Sequence, residues 1–291
     1  MRLRIATAEG LIECDAGGAA NATTIVPGPV RIFGDVVIAG NRRVLWCGDS
    51  GWTELGDVSG ILCAVDAPGG IIVGTEGAHL FQLGQDQLDQ LRGFEQVVGR
   101  ADWYTPWGAP PEVRSLACTP DNVLLANVHV GGIARSADSG RTWAPTVDIH
   151  DDVHQVRSVW GRADFVVAAA AVGLLVSNDA GLTWNAHARG LHATYCRAVA
   201  VPDEAILVSA SEGPRGKQSA IYRTNIHASE RFDRVTDWID GNVDSHALDG
   251  FGAHAAFGTP QGDVYESTDA GATWNLTHRD LAPVTSLSLV P

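Results

Sequence analysis

The sequence predicts an all-β fold, a seven-bladed β-propeller with four antiparallel strands per blade, occupying residues 1–291 as one domain. Three observations lead there. An eight-residue turn, SADSGRTW (Ser136–Trp143), returns as SNDAGLTW (Ser177–Trp184) and STDAGATW (Ser267–Trp274). The tryptophans of these turns are separated by one period of about 41 residues and then by two periods of about 45, which is the spacing of solenoids and propellers and divides the chain into about seven units. The composition agrees: 33 glycines, 13 prolines and 45% apolar residues, in hydrophobic runs rarely longer than eight, describe many short strands joined by tight turns.

Taken in order, the head RLRIATAEGLIECDAGG (Arg2–Gly18) reads as outer strands that lack an innermost partner. GDSGWTEL (Gly48–Leu55) reads as a degenerate copy of the repeated turn. The fourth unit parses as the strands VRSLAC, NVLLANVH, GIARS and TWAPTV, and the fifth as VRSVW, DFVVAAAA, GLLVS and TWNAH. In the sixth, AIYRTNIHASERFDRV (Ala220–Val235) keeps strand, turn and strand while the Ser, Asp, Gly and Trp of the turn are replaced. The tail VTSLSLVP supplies the innermost strand that the head lacks, so residues 285–290 are expected to pair with residues 3–8 and close the ring, as propellers do to remove free sheet edges.

The pattern S-x-D-x-G-x-T-W resembles the Asp-box, or BNR repeat, of sialidase-like propellers. The resemblance implies that the turn lies between the third and fourth strands, on the face away from the binding sites. In such a turn Ser and Asp bond the local backbone, Gly takes the positive φ and Trp packs against the neighbouring blade. Asp138, Asp179 and Asp269 are accordingly read as turn-formers and not as acids or ligands. The sialidase enzymes carry an arginine triad, a tyrosine–glutamate pair, an aspartate acid and a Phe/Tyr-Arg-Ile-Pro motif. The nearest match here, VRIFG (Val30–Gly34), lacks the aromatic and the proline, and no Tyr is paired with a Glu by spacing. The chain also resembles non-catalytic Asp-box propellers, including photosystem assembly factors, which act as docking platforms.

Function is sought where the repeat is broken. The turns from second to third strands read AEG, TEG, HVG, AVG, SEG and PQG, which singles out Glu9, Glu76, Glu212 and His129. The lead-ins to four consecutive innermost strands read PPEVRSLA, DDVHQVRSV, LHATYCRAV and VDSHALDG. They place Arg114, Arg157 and Arg197 at one equivalent position, with Arg31 as a fourth candidate, and put His154, His192 and His246 just ahead of their strands. The expectation is one axial pocket shared by His129, His154, His192 and His246, flanked by the arginines, by Glu76 and Glu212, and by Tyr195. The insertion GRADWYTPWGAPPE (Gly99–Glu112) adds Trp103, Tyr104 and Trp107 over the same face, as a lid or stacking surface. His150, Asp151 and Asp152 read as solvated loop residues.

Two chemistries suit the constellation. Neutral imidazoles ligate transition metals such as Zn, Fe, Cu or Ni, with carboxylates fixing their tautomers; alternatively, arginines hold a carboxylate or phosphate and histidines act as donors or as a base. A third reading has the same side chains bonding loop carbonyls. The expected function is thus the binding of a small anionic or metal-coordinating ligand, possible metal-assisted catalysis included, with an interaction scaffold binding a protein partner as the alternative and, behind it, a sialidase-like glycoside hydrolase. A net charge of -14 argues against nucleic acid or an anionic membrane as partner. No apolar run of signal-peptide or membrane-span length is present, so a cytoplasmic protein is expected. The five cysteines, with no CxxC pair, read as buried thiols.

Overall fold

The computed structural model describes residues 1–17, 23–48, 51–84, 88–226 and 231–291. Among these, the strands form seven four-stranded antiparallel sheets, so the fold is the seven-bladed β-propeller that the repeat predicts. One blade has the order β28-β1-β2-β3, with β1 Arg2–Thr7, β2 Gly10–Asp15, β3 Thr23–Pro27 and β28 Val284–Val290. The next runs β4 Val30–Phe33, β5 Val36–Ala39, β6 Arg43–Gly48 and β7 Gly51–Asp57. There follow β8 Ile61–Ala67, β9 Gly70–Thr75, β10 Leu80–Leu83 and β11 Leu88–Gln90, and then β12 Val113–Cys118, β13 Leu124–Val128, β14 Gly132–Ser136 and β15 Ala144–Pro145. The fifth blade is β16 Val153–Val159, β17 Arg162–Ala170, β18 Gly173–Ser177 and β19 Asn185–His187. The sixth is β20 Tyr195–Ala200, β21 Ala205–Ser211, β22 Ala220–Asn225 and β23 Asp233–Arg234, and the seventh is β24 Leu248–Phe251, β25 His254–Gly258, β26 Val264–Ser267 and β27 Asn275–His278. Parts of the head (Gly18), of the degenerate turn (Asp49 and Ser50) and of the sixth-blade turn (residues 227–230) lie outside the described residues.

By its internal contacts the chain divides into two compact units, residues 1–40 with 187–291, and residues 41–186. The first has a core of Leu3, Ile5, Leu248, Phe257, Leu287 and Leu289, among others. Its closing strand pairs as expected: Leu3 lies opposite Leu289 and Ile5 opposite Leu287, with a bulge before Thr7 meets Val284. The Ser286 hydroxyl accepts from the Ile32 backbone N–H at 2.7 Å, joining the closing strand to β4. Arg4 is buried and reaches from β1 to Glu13 (2.8 Å) and Asp35 (2.7 Å), so its charge is compensated where it lies.

The second unit has a core of Ala117, Leu125, Ile133, Val153, Val166 and Leu175, against which Trp184 packs. The second strands are buried on both faces, which explains why FVVAAA of β17 shows no alternation: a strand between two covered faces has no side to give to water. Glycine is required where loops press on the sheet. A Cβ at Gly132, whose φ is +69°, would lie 2.2 Å from the Val147 carbonyl oxygen.

The three repeated turns sit between third and fourth strands and share one hydrogen-bond scheme. In the first copy, Ser136 Oγ donates to Asp138 Oδ1 (2.8 Å) and accepts from Gly140 N (2.9 Å). Asp138 accepts from the Thr142 backbone N–H (2.9 Å) and hydroxyl (2.6 Å). The Ser177/Asp179/Thr183 and Ser267/Asp269/Thr273 copies repeat it. The serine is the buried hub in each. Both the glycine and the residue before it take positive φ (Ser139 60°, Ala180 54°, Ala270 53°), so the turn needs two left-handed residues where the sequence points to one.

The Thr142 hydrogen bonds, ahead of the other contacts, hold the Asp138 carboxyl down to about 2, and Thr273 does the same for Asp269. All three aspartates are committed to the turn backbone. The cysteines described are free thiols, and among the described residues no helix is long and apolar enough to cross a membrane.

Candidate ligand site at the strand lead-ins

In the second unit the fold brings together Arg114, His129, Asp152 and His154. Arg114 is the second residue of β12, placed at a bulge, and His129 follows the last residue of β13; the His129 N–H donates to the Glu112 carbonyl at 2.8 Å. Arg114 Nη1 lies 2.8 Å from His129 Nδ1. A guanidinium can only donate, so Nδ1 is the acceptor and the proton of the neutral ring sits on Nε2. That atom faces Asp152 Oδ1 at 3.9 Å, while His154 Nε2 lies 3.5 Å from Asp152 Oδ2.

Asp152 is held in a left-handed conformation (φ 47°) at the end of the short helix Ile149–Asp151, where Asp is one of the few residues that tolerate it. Burial would raise its carboxyl, but the opposing influence of His154, His129 and Arg114 prevails and holds it below the usual carboxylate range. Its Oδ1 is buried and accepts no hydrogen bond among the described residues. Over this group stands Trp107, 60% exposed, with its ring 4.7 Å from that of His129 at 78°.

The other expected residues fall as follows. His154 is inside β16 and fully buried, not ahead of the strand, because a bulge between Val153 and Gln155 lets β16 begin three residues earlier than VRSVW. Trp103 is buried against Phe94 (5.5 Å), with the Arg100 guanidinium over its ring at 5.0 Å; it anchors the insertion and offers no open face to a ligand. Tyr104 is exposed. Glu76 is exposed and its backbone bridges to Glu112. Arg157 is half-buried on β16, opposite Val167. In the HVG turn the positive φ falls on Val130 and Gly132, not on Gly131.

In the first unit, Arg197 is paired with Asp244 at 2.5 Å, and Glu212 with Lys217 at 2.7 Å. His192 Nδ1 is bonded to the Tyr222 hydroxyl at 2.7 Å, its ring meets the edge of Trp238 at 5.0 Å, and Arg234 stacks on Trp238 at 4.2 Å. Burial chiefly depresses the His192 imidazole below its ordinary value, against the pull of Glu212. Tyr195 opens β20 opposite Ser211. His246, at φ 68°, meets Phe33 edge-on at 4.8 Å.

Among the described residues no group of three or more His, Cys, Asp or Glu side chains is disposed to hold a metal ion. The Arg114 contact gives a reason at one of the expected ligands: an imidazole whose Nε2 carries the proton has no lone pair there to ligate. The residues missed by sequence are Asp152, Asp244, Tyr222 and Trp238. Asp152 had a readable signal, since Asp is among the residues enriched at positive φ and stands two places before His154; Asp244 stands in the lead-in VDSHALDG and Tyr222 in the strand AIYRTN, but nothing in either stretch marks them as partners of Arg197 and His192.

No family model and no curated protein matches the sequence. Among solved structures the chain is similar to an ancestral GH74 enzyme, with 17% identity over 86% of this chain and 37% of that one, at a TM-score of 0.56. It is similar to the GH74 xyloglucanase from Xanthomonas campestris, with 17% identity over 95% of this chain and 46% of that one, at a TM-score of 0.56. It is also similar to the computationally designed Ika8 protein, with 14% identity over 99% and 91%, at a TM-score of 0.61. The chain spans less than half the length of either GH74 structure. Identities this low show the β-propeller fold alone, and the Asp-box resemblance rests on the three turns themselves.

Proposed function

We propose that the chain is a ligand-recognition propeller, without a bound metal, that takes a small hydroxy acid at Asp152. The observation that carries this is the buried, unbonded Oδ1 of Asp152 between two imidazoles. Leaving such an acceptor without a donor costs about 1–3 kcal/mol, which a ligand hydroxyl removes. The Nε2–H of His129 is oriented to donate back to the same hydroxyl. The positive charge of Arg114 beside His129 favours a ligand that carries a carboxylate. Trp107 gives the ligand an apolar wall. Arg197, neutralised by Asp244, takes no part in this reading.

The experiment is a thermal-shift panel of small hydroxy acids beside their deoxy analogues, on the wild-type protein and on Asp152→Asn. The hydroxy acids should raise the melting temperature of the wild type only. A panel without a stabiliser, or a shift that survives Asp152→Asn, defeats the reading.

A second reading, a protein-docking scaffold, is favoured by Trp160, 89% exposed at the tip of the β16–β17 hairpin, and Leu182, 58% exposed in the repeated turn of the same blade. Replacing both by serine should abolish a partner contact without lowering the melting temperature; a partner retained by that variant defeats it.

A further inference from the structure

We propose that Glu266 and His278 hold one buried water molecule that donates a hydrogen bond to each and ties the outer strands β26 and β27 to the segment following β2. Both side chains are buried. Val264 lies opposite His278 and Glu266 opposite Asn275, so Glu266 and His278 sit on one face of the β26–β27 ribbon. Tyr265 points to the other face and stacks on Phe257 at 4.7 Å. The face of Glu266 is the one turned to β2, because its Oε2 accepts from the Gly17 N–H at 2.7 Å.

The remaining atoms make the argument. Glu266 Oε1 and His278 Nε2 are both buried, and neither has a hydrogen-bond partner among the described residues. The Thr277 hydroxyl donates its one proton to the Val264 carbonyl at 3.3 Å, so toward His278 Nδ1, at 3.2 Å, it can only accept. Nδ1 therefore carries the imidazole proton and Nε2 presents a lone pair. Among the described residues two acceptors are thus buried with no donor supplied to either, an arrangement that costs free energy until something with two hydrogens to give lies between them.

The surrounding groups leave a neutral donor as the fitting choice. From β2, Glu13 is engaged by Arg2 and Arg4, and Asp15 is exposed. The Cys14 thiol points to the Leu3 carbonyl at 3.6 Å, and burial, then Glu266, Asp15 and Glu13, push it up to about 11, so it stays protonated and committed. Burial depresses the His278 imidazole despite the opposing pull of Glu266, which keeps the ring neutral. Among the described residues no metal-binding group is formed here. A water molecule with two acceptors is at the lower bound of what buried waters make.

Imidazole nitrogen NMR on the full chain near neutral pH reads the tautomer directly. The expected result is a protonated Nδ1 and an unprotonated Nε2 at His278; a protonated Nε2 overturns the proposal. A high-resolution crystal structure should show an ordered water within about 2.6–3.2 Å of both atoms, and a direct Nε2–Oε1 contact, or density bonded to only one of them, also overturns it. In Glu266→Gln the amide nitrogen in the place of Oε1 donates to the water, which still donates to Nε2, so the water should be retained; its loss there counts against the proposal. Should that variant fail to fold, the tautomer in the wild type still decides.

Discussion

Arg114 and His129 meet end to end, guanidinium Nη1 to imidazole Nδ1 at 2.8 Å, and this one contact determines which face of the imidazole can do chemistry. With the proton driven to Nε2, His129 donates and does not ligate. Addition of Zn²⁺ is therefore expected to leave the melting temperature unchanged. A stoichiometric zinc that disappears in His129→Ala would show the tautomer to be the other one.

The serine at the hub of each repeated turn is buried and bonds both the aspartate and the glycine N–H. Ser136→Ala, Ser177→Ala and Ser267→Ala should each cost about 1 kcal/mol, within the range for losing a side-chain cap of backbone donors. Urea unfolding midpoints measure this. Because the hydrogen-bond scheme is the same in all three, a cost confined to one copy would contradict its being a shared structural device.

Asp138 and Asp269 have folded values of about 2, below the roughly 3.9 of an unfolded aspartate. A depressed carboxylate stabilises the fold above its unfolded value, and that contribution is lost as the pH falls through the folded one. Stability should thus decline between about pH 4 and pH 2. Asp138→Asn combined with Asp269→Asn should flatten the decline in that window, as followed by thermal unfolding at stepped pH. An unchanged slope would mean that these carboxylates do not report on folding.

Val284, Leu287, Leu289 and Val290 of β28 are buried against the first unit. Each fully buried aliphatic side chain is worth about 1.5–3 kcal/mol, so four approach the whole stability of a typical domain. Deleting residues 284–291 should leave a protein that aggregates or melts far below the wild type. A soluble truncation with the wild-type melting temperature would show that β1 does not depend on this partner.

The architecture was legible because each blade carries its own signature. GIARS and GLLVS coincide with β14 and β18, VRSLAC with β12, and the tail with β28, since turn chemistry and strand runs act over a few residues. The site was less legible because it depends on where loops bring side chains. Trp103 and Trp107 look alike in GRADWYTPWGAPPE, yet one is packed on Phe94 and the other stands exposed over His129. Asp152 reads as a solvated loop residue, and only the left-handed turn after Ile149–Asp151 aims it at two histidines. Arg114 and Arg197 occupy equivalent positions by sequence, but Asp244 neutralises one while His129 engages the other. Spacing marks a position, and the partner found there decides its chemistry.

The pairing of β1 with β28 sets an order of events during synthesis. Strands β1, β2 and β3 are made before the other six blades, and the strand that pairs with β1 is made only after them. Until then Leu3 and Ile5 lack their cross-strand partners, and β1 presents open backbone groups to any other nascent chain. Contacts between residues so distant in sequence form slowly, and an exposed edge invites association in the meantime. The same strand pair that seals the finished molecule makes its unfinished form adhesive, and production at low temperature or with a holding chaperone should favour the folded product.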